Sequence, residues 1–154
     1  MAPALHLAPA PVLSGGVARA LRAPVAQMTR GNPVHSAHEL SDELRPKARA
    51  LRNEIGDVFS GYAEMSRAAM SEGALSARTK ELIALAIAAT RECDGCIGAH
   101  ARGAQRAGAS AAEVAEAMGV VIMMNGGPGT VWGPRAFAAY EEWAADRAPE
   151  APVV

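Results

Sequence analysis

The chain has 154 residues and a formal net charge of −1, which on length is one domain able to bury a core without disulfide or metal staples. Half of it is apolar but only 4% is aromatic, and small helix-favouring residues in that proportion point to closely packed helices rather than a sheet sandwich. So neutral a chain argues against nucleic acid, whose phosphates need a basic surface, and no apolar run of about 18 residues is present to span a membrane.

Residues 1–38 contain no acidic residue and five prolines, Pro3, Pro9, Pro11, Pro24 and Pro33. That composition predicts a mobile tail. A secretory signal is not expected, because no basic residue precedes the first apolar stretch and prolines interrupt it. Three arginines are thin support for an organellar transit segment, and Met28 is an alternative start.

From Glu39 the pattern turns helical, and the predicted domain runs over 39–147 with a short tail at 148–154. Leu44, Leu51, Ile55, Val58, Phe59 and Tyr62 recur at helical intervals. Pro46 is best placed in a first turn, where its missing N–H does no harm. Gly56 and Gly61 argue against one unbroken helix. A second segment ends near Gly73, and Ser76 is a candidate N-cap for the next.

That next helix, "RTKELIALAIAATRE", is apolar nearly all round and must be buried on several sides. A subunit interface is the expected source of part of that burial. A further helix is expected from about Cys96 to Ala107, with Gly108 as its stop. Ser110 and Glu113 form a capping box into "AAEVAEAMGVVIMMN". "GGPG" at 126–129 breaks the chain, and a last amphipathic helix offers Trp132, Phe137, Tyr140 and Trp143 for packing. No alternating strand pattern occurs, so the class is all-α.

The chemistry concentrates in "ECDGCIGAH" at 92–100, which holds the two cysteines of the chain, Cys93 and Cys96. A bridge between them closes only a small loop and constrains the unfolded chain little, so a structural disulfide explains them poorly. Reactive or metal-bound thiols in a reducing cytoplasm fit better. If Cys96 lies in the first turn of its helix, free N–H groups and the helix dipole favour its thiolate. His100, four residues on, shares that face and can take the thiol proton. Cys93 is near enough to close a disulfide, which completes the parts of a redox cycle.

Zinc is the main competitor, with His100 as third ligand, but the fourth must come from elsewhere. His6, His35 and His38 lie in the region of the tail. Haem attachment needs histidine directly after the second cysteine, where Ile97 stands, and a thioredoxin-like domain needs a preceding strand. Glu81 reads either as a solvated carboxylate in a first turn or as a buried one that orients His100. "GGPG" is no phosphate loop, since no lysine follows and Pro128 removes a donor. Val120 to Met124 read as core or interface, and Arg49, Arg52, Glu113 and Glu116 as solvated faces.

Glu81, eleven residues, Cys93-x-x-Cys96, three residues and His100 together resemble the signature of the alkylhydroperoxidase AhpD-like branch of the carboxymuconolactone decarboxylase family. "GAHARGAQRAGAS" and the capped helix ending in "NGGPG" agree with it, over roughly residues 40–145. The resemblance implies an all-helical bundle assembled as an obligate trimer or hexamer, and a thiol peroxidase that works without haem, flavin or metal. It implies Cys96 as the peroxidatic thiol, Cys93 as the resolving one, His100 as proton acceptor and Glu81 as part of that relay. The partners implied are a hydroperoxide substrate and a dithiol reductant, for which a lipoyl-bearing protein is the precedent. The chain departs at Gly95, where the best-known member has a further histidine. The decarboxylase branch shares the fold but lacks the cysteine pair, which argues against lactone decarboxylation. A general disulfide reductase, a zinc-stabilised binding module and a cofactor-free decarboxylase or isomerase are the alternative readings.

Overall fold

The computed structural model describes residues 36–146, and the expectations for residues 1–35 and 147–154, Met28 included, lie outside them. Among the described residues the regular elements are six helices, with no strand: α1 (Ala37–Glu54), α2 (Gly56–Met70), α3 (Ala77–Thr90), α4 (Asp94–Arg106), α5 (Ala111–Asn125) and α6 (Gly127–Ala145).

Local chemistry sets most of the boundaries. Ser76 caps α3 by accepting from Thr79 N–H, and Ser110 with Glu113 closes a reciprocal capping box on α5, so orphan first-turn donors are satisfied. The first helix begins earlier than its apolar periodicity suggests. Ser36 and Glu39 form a second capping box, so α1 opens at Ala37 and Pro46 lies inside it rather than in its first turn. That proline cannot donate to the carbonyl four residues back, but Asp42 and Pro46 are both exposed and water can reach the gap. The break between α1 and α2 falls at Ile55; Gly61 is carried within α2 without interrupting it.

The core is built by α3 to α6: Leu85, Ala88 and Ala89 from α3, Ile97, Ala101 and Ala104 from α4, Val114, Met118 and Val121 from α5, and Ala136, Ala139 and Tyr140 from α6. Neither α1 nor α2 contributes a buried residue. Small side chains let the helices approach closely. A Cβ on Gly129 would lie 2.8 Å from the Ile122 Cα, so the third glycine of "GGPG" is a contact between α5 and α6. The break itself needs one residue, Gly126, at φ 60°, and Pro128 sits in the first turn of α6, where its missing N–H is harmless. The Tyr140 hydroxyl donates to the Ala109 carbonyl and ties α6 to the α4–α5 turn.

The N-terminus of α1 is pinned to the end of α6. Ala37 N–H donates to Glu142 at 2.8 Å, and His38 lies on the Trp143 ring and 3.2 Å from Asp146. The apolar circumference of α3 is only partly covered: Leu85, Ala88 and Ala89 are buried while Ile83 and Ile87 remain exposed. No helix among the described residues is long and apolar enough to cross a membrane.

The α5 capping box is sensitive to pH. Hydrogen bonds from the Ser110 backbone and hydroxyl, with Arg78 nearby, hold the Glu113 carboxyl below its ordinary value. A carboxylate whose folded value is depressed contributes stability that is complete above its unfolded value and lost as pH falls through the folded one. Ser110→Ala should therefore lower the thermal midpoint at neutral pH, and the gap from wild type should narrow on acidification. A gap independent of pH across the carboxylate range would contradict this.

Candidate active site at the start of helix α4

The turn from α3 into α4 places both cysteines. After Thr90 the chain closes with two bonds, Glu92 N–H to the Ala89 carbonyl and Cys93 N–H to the Ala88 carbonyl, each 3.2 Å. This is the Schellman pattern, which requires a left-handed residue just past the helix. Glu92 fills that position at φ 57°, the one described non-glycine residue with positive φ. The equivalent turn after α4 uses Gly108, at φ 79°. Glu92 therefore carries strain that a glycine would not.

Cys93 emerges from this turn as the N-cap of α4, and its sulfur accepts from Cys96 N–H at 3.3 Å. Cys93 and Cys96 are joined as a disulfide, with Cα atoms 5.3 Å apart. Cys96 falls in the first turn of α4 and is exposed, and Cys93 is half-buried. In the reduced state the Cys96 sulfur would therefore sit where the helix N–H groups and dipole favour a thiolate.

One turn further along, His100 Nδ1 lies 2.9 Å from Glu81 Oε2. The side chains are 33% and 19% exposed, so the contact is partly shielded and the imidazole edge reaches solvent. An ionised carboxylate only accepts, so Nδ1 carries the proton and donates, and Nε2 is left as the basic nitrogen. Glu81 thus meets His100, the second of the two readings its position allows. The pairing depends on Gly103. A Cβ built there would lie 2.5 Å from Glu81 Oε1 and closer still to Oε2 and Cδ, so the bare backbone of α4 makes the space the carboxylate occupies.

Two further contacts surround the motif. Asp94, between the cysteines, receives Arg135 Nη2 on both carboxylate oxygens, at 2.9 and 2.8 Å. On the other side, Asp94 and Gly95 form part of the wall of a hollow of about 550 Å³ beside Leu44, Arg45, Arg52 and Arg102. Among the described residues no three His, Cys, Asp or Glu side chains converge as a metal site. His38 is engaged with Trp143 and Asp146, and His6 and His35 lie outside those residues.

Gly103, Asp94, Arg135 and Glu92 were not recognised as site residues from sequence. A glycine inside a helix costs about 1 kcal/mol against alanine, so Gly103 signalled a close approach without naming what approaches. Arg135 left no local signal, since its partner is 41 residues away.

The sequence profile described as Carboxymuconolactone decarboxylase family matches residues 56–142, more than half of the chain. The chain belongs to the carboxymuconolactone decarboxylase family. An uncharacterized protein of the cox locus of Paracoccus denitrificans is 33% identical over 107 residues, covering 67% of this chain and 96% of that protein. An uncharacterized protein of Cupriavidus necator is 37% identical over 99 residues, 64% of this chain and 88% of its own. The crystal structure of an apo carboxymuconolactone decarboxylase family protein from Legionella pneumophila superposes with a TM-score of 0.68 at 31% identity, covering 70% of this chain and 96% of that one. Helix α1 lies outside the stretch matched by the family profile, whereas α2 to α5 and the site fall within it.

Two substitutions test this geometry. Gly103→Ala should push the Glu81 carboxylate aside and release the imidazole, so ¹⁵N NMR should show one fixed Nδ1–H tautomer in wild type and a mixture in the variant. The thermal midpoint should not fall, because the helix gains about 1 kcal/mol of propensity; an unchanged imidazole spectrum would refute the cradle. Glu92→Gly should stabilise the oxidised protein by roughly 1 kcal/mol in denaturant titration. No gain would mean that the left-handed turn is unstrained.

Proposed function

We propose that this protein is a thiol peroxidase that reduces hydrogen or organic hydroperoxides through a Cys93–Cys96 dithiol/disulfide cycle. The observation that carries the reading is the combination on one helix start: an exposed Cys96 in the first turn, bonded to its neighbour Cys93, with His100 held by Glu81 one turn on.

In the reduced protein, His100 Nε2 takes the proton of Cys96, directly or through water. The thiolate attacks the terminal peroxide oxygen, the O–O bond breaks, and the alkoxide leaves as an alcohol after taking a proton, for which His100 is the donor. Cys96 is now a sulfenic acid. Cys93 attacks that sulfur, forming the disulfide and releasing the oxygen as water. A dithiol reductant, with a lipoyl-bearing protein as the leading candidate, returns two electrons and two protons and leaves as its own disulfide. Such a cycle suits a reducing cytoplasm.

The same reading includes a homo-oligomer, a trimer or hexamer. Met123 and Met124 are 72% and 75% exposed, with Val120, Ile83 and Ile87 also open. Exposed apolar side chains on two helices that pack on each other are suited to an interaction surface.

Free-thiol titration with intact mass, before and after stoichiometric cumene hydroperoxide, tests the chemistry. Wild type should lose both thiols quickly as an intramolecular disulfide, Cys96→Ser should not, and His100→Ala should slow the loss by about 10²-fold or more. Thiols that survive peroxide would rule out the peroxidase and leave general disulfide reduction to be assayed. Sedimentation should show a trimer or larger, reduced to smaller species by Met123→Glu with Met124→Glu; a monomeric wild type would contradict the assembly.

A further inference from the structure

The redox turn holds a charge that the peroxidase reading leaves unused. Asp94 is the first residue of α4, next to Cys93 and two residues before Cys96. A carboxylate there opposes a thiolate on either sulfur, against the helix N-terminus, which favours one. Its charge is met by Arg135, whose Nη2 donates to both oxygens at 2.9 and 2.8 Å. Trp132, one turn earlier on α6, fixes that guanidinium by stacking, 4.3 Å from its ring centroid. The Nε is buried and makes no hydrogen bond among the described residues. The arginine is thus fastened to α6 and reaches the cysteine motif solely through Asp94 as far as its hydrogen bonds go.

We infer that Arg135 is a positioning residue for the cysteine pair: by neutralising and holding Asp94, it keeps the Cys96 thiolate accessible and the Cys93–Cys96 bond reducible. Other charged and titratable groups belong to the neighbouring segments. They are His100 on α4, Glu81 of α3 behind it, Arg91 and Glu92 in the preceding turn, and Arg45, Arg52 and Arg102 around the hollow at Asp94. None of these is hydrogen-bonded to Asp94. The inference rests on the pair cycling between dithiol and disulfide, not on peroxide as the oxidant.

Two measurements without peroxide test it on the full chain. The first is the pH dependence of Cys96 alkylation by iodoacetamide, read by mass. The second is equilibrium with glutathione, in which two glutathiones give two electrons and two protons to the Cys93–Cys96 bond and leave as their oxidised dimer. Arg135→Gln should raise the pH midpoint of Cys96 alkylation by about one unit, so that the rate below that midpoint falls roughly tenfold. At pH above both midpoints the same shift should move the glutathione equilibrium toward the protein disulfide by up to tenfold, about 30 mV more negative. Asp94→Asn should shift both quantities the opposite way, the double variant should return near wild type, and Arg135→Lys should keep most of the wild-type behaviour.

A merely structural tether predicts another pattern, because cutting it from either end would loosen the turn in the same way. The inference is overturned if Arg135→Gln leaves both quantities within twofold of wild type, or if Arg135→Gln and Asp94→Asn shift them in the same direction. Failure of the peroxide assay alone would leave these results standing. Asp94→Asn and Arg135→Lys keep the test open should Arg135→Gln fail to fold.

Discussion

Everything at the candidate site depends on one backbone constraint, the left-handed residue at Glu92. It lets α3 end in a Schellman turn and makes Cys93 serve two helices at once, as the donor closing the first and the cap opening the second. Without that reversal the cysteines would continue along α3, and neither sulfur would reach the positive end of a helix. The same turn folds α4 back onto α3, which brings Glu81 and His100, 19 residues apart, into hydrogen-bond contact. Gly103 completes the approach by leaving room for the carboxylate. A strained residue, a capped helix and a missing side chain thus form one device.

The core explains how so small a bundle can hold that device in place. Alanine supplies much of the buried surface on α3, α4 and α6, and no charged or polar side chain is fully buried among the described residues. Small side chains bury little apolar area each, so cohesion comes from close approach along whole helices, as at Gly129. Other large apolar side chains lie outside the core. Val58, Tyr62, Met65, Met123 and Met124 face outward, which leaves α1 and α2 resting on the bundle without entering its core.

Features that depend on neighbours in sequence were legible, and those set by distant partners were not. Ser76, Gly108 and the Ser110–Glu113 box act within one turn, and each is found where its local pattern indicates. The Ser36–Glu39 box is as local, but proline-rich composition upstream hid it and moved the expected start of the domain to Glu39. Pro46 and Gly61 show the limit of breaker residues as punctuation: solvent access tolerates one inside α1, and the helical context of α2 absorbs the other. The family signature was readable because Glu81, Cys93, Cys96 and His100 keep a fixed spacing. Its supporting shell was hidden, because Arg135 and Asp94 meet only through the packing of α6 on α4.

Two carboxylates near the cysteine motif are held by basic partners. Asp94 faces Arg135 and Glu81 faces His100, in a chain whose formal net charge is −1. In the reduced state a thiolate there would be favoured by short-range means: backbone N–H groups at a helix start and an imidazole held by a carboxylate. A small uncharged electrophile, such as a hydroperoxide, loses nothing by that arrangement, since it needs no electrostatic guidance and little desolvation. On the proposed peroxidase reading, the physical demand falls on the thiol rather than on recognition.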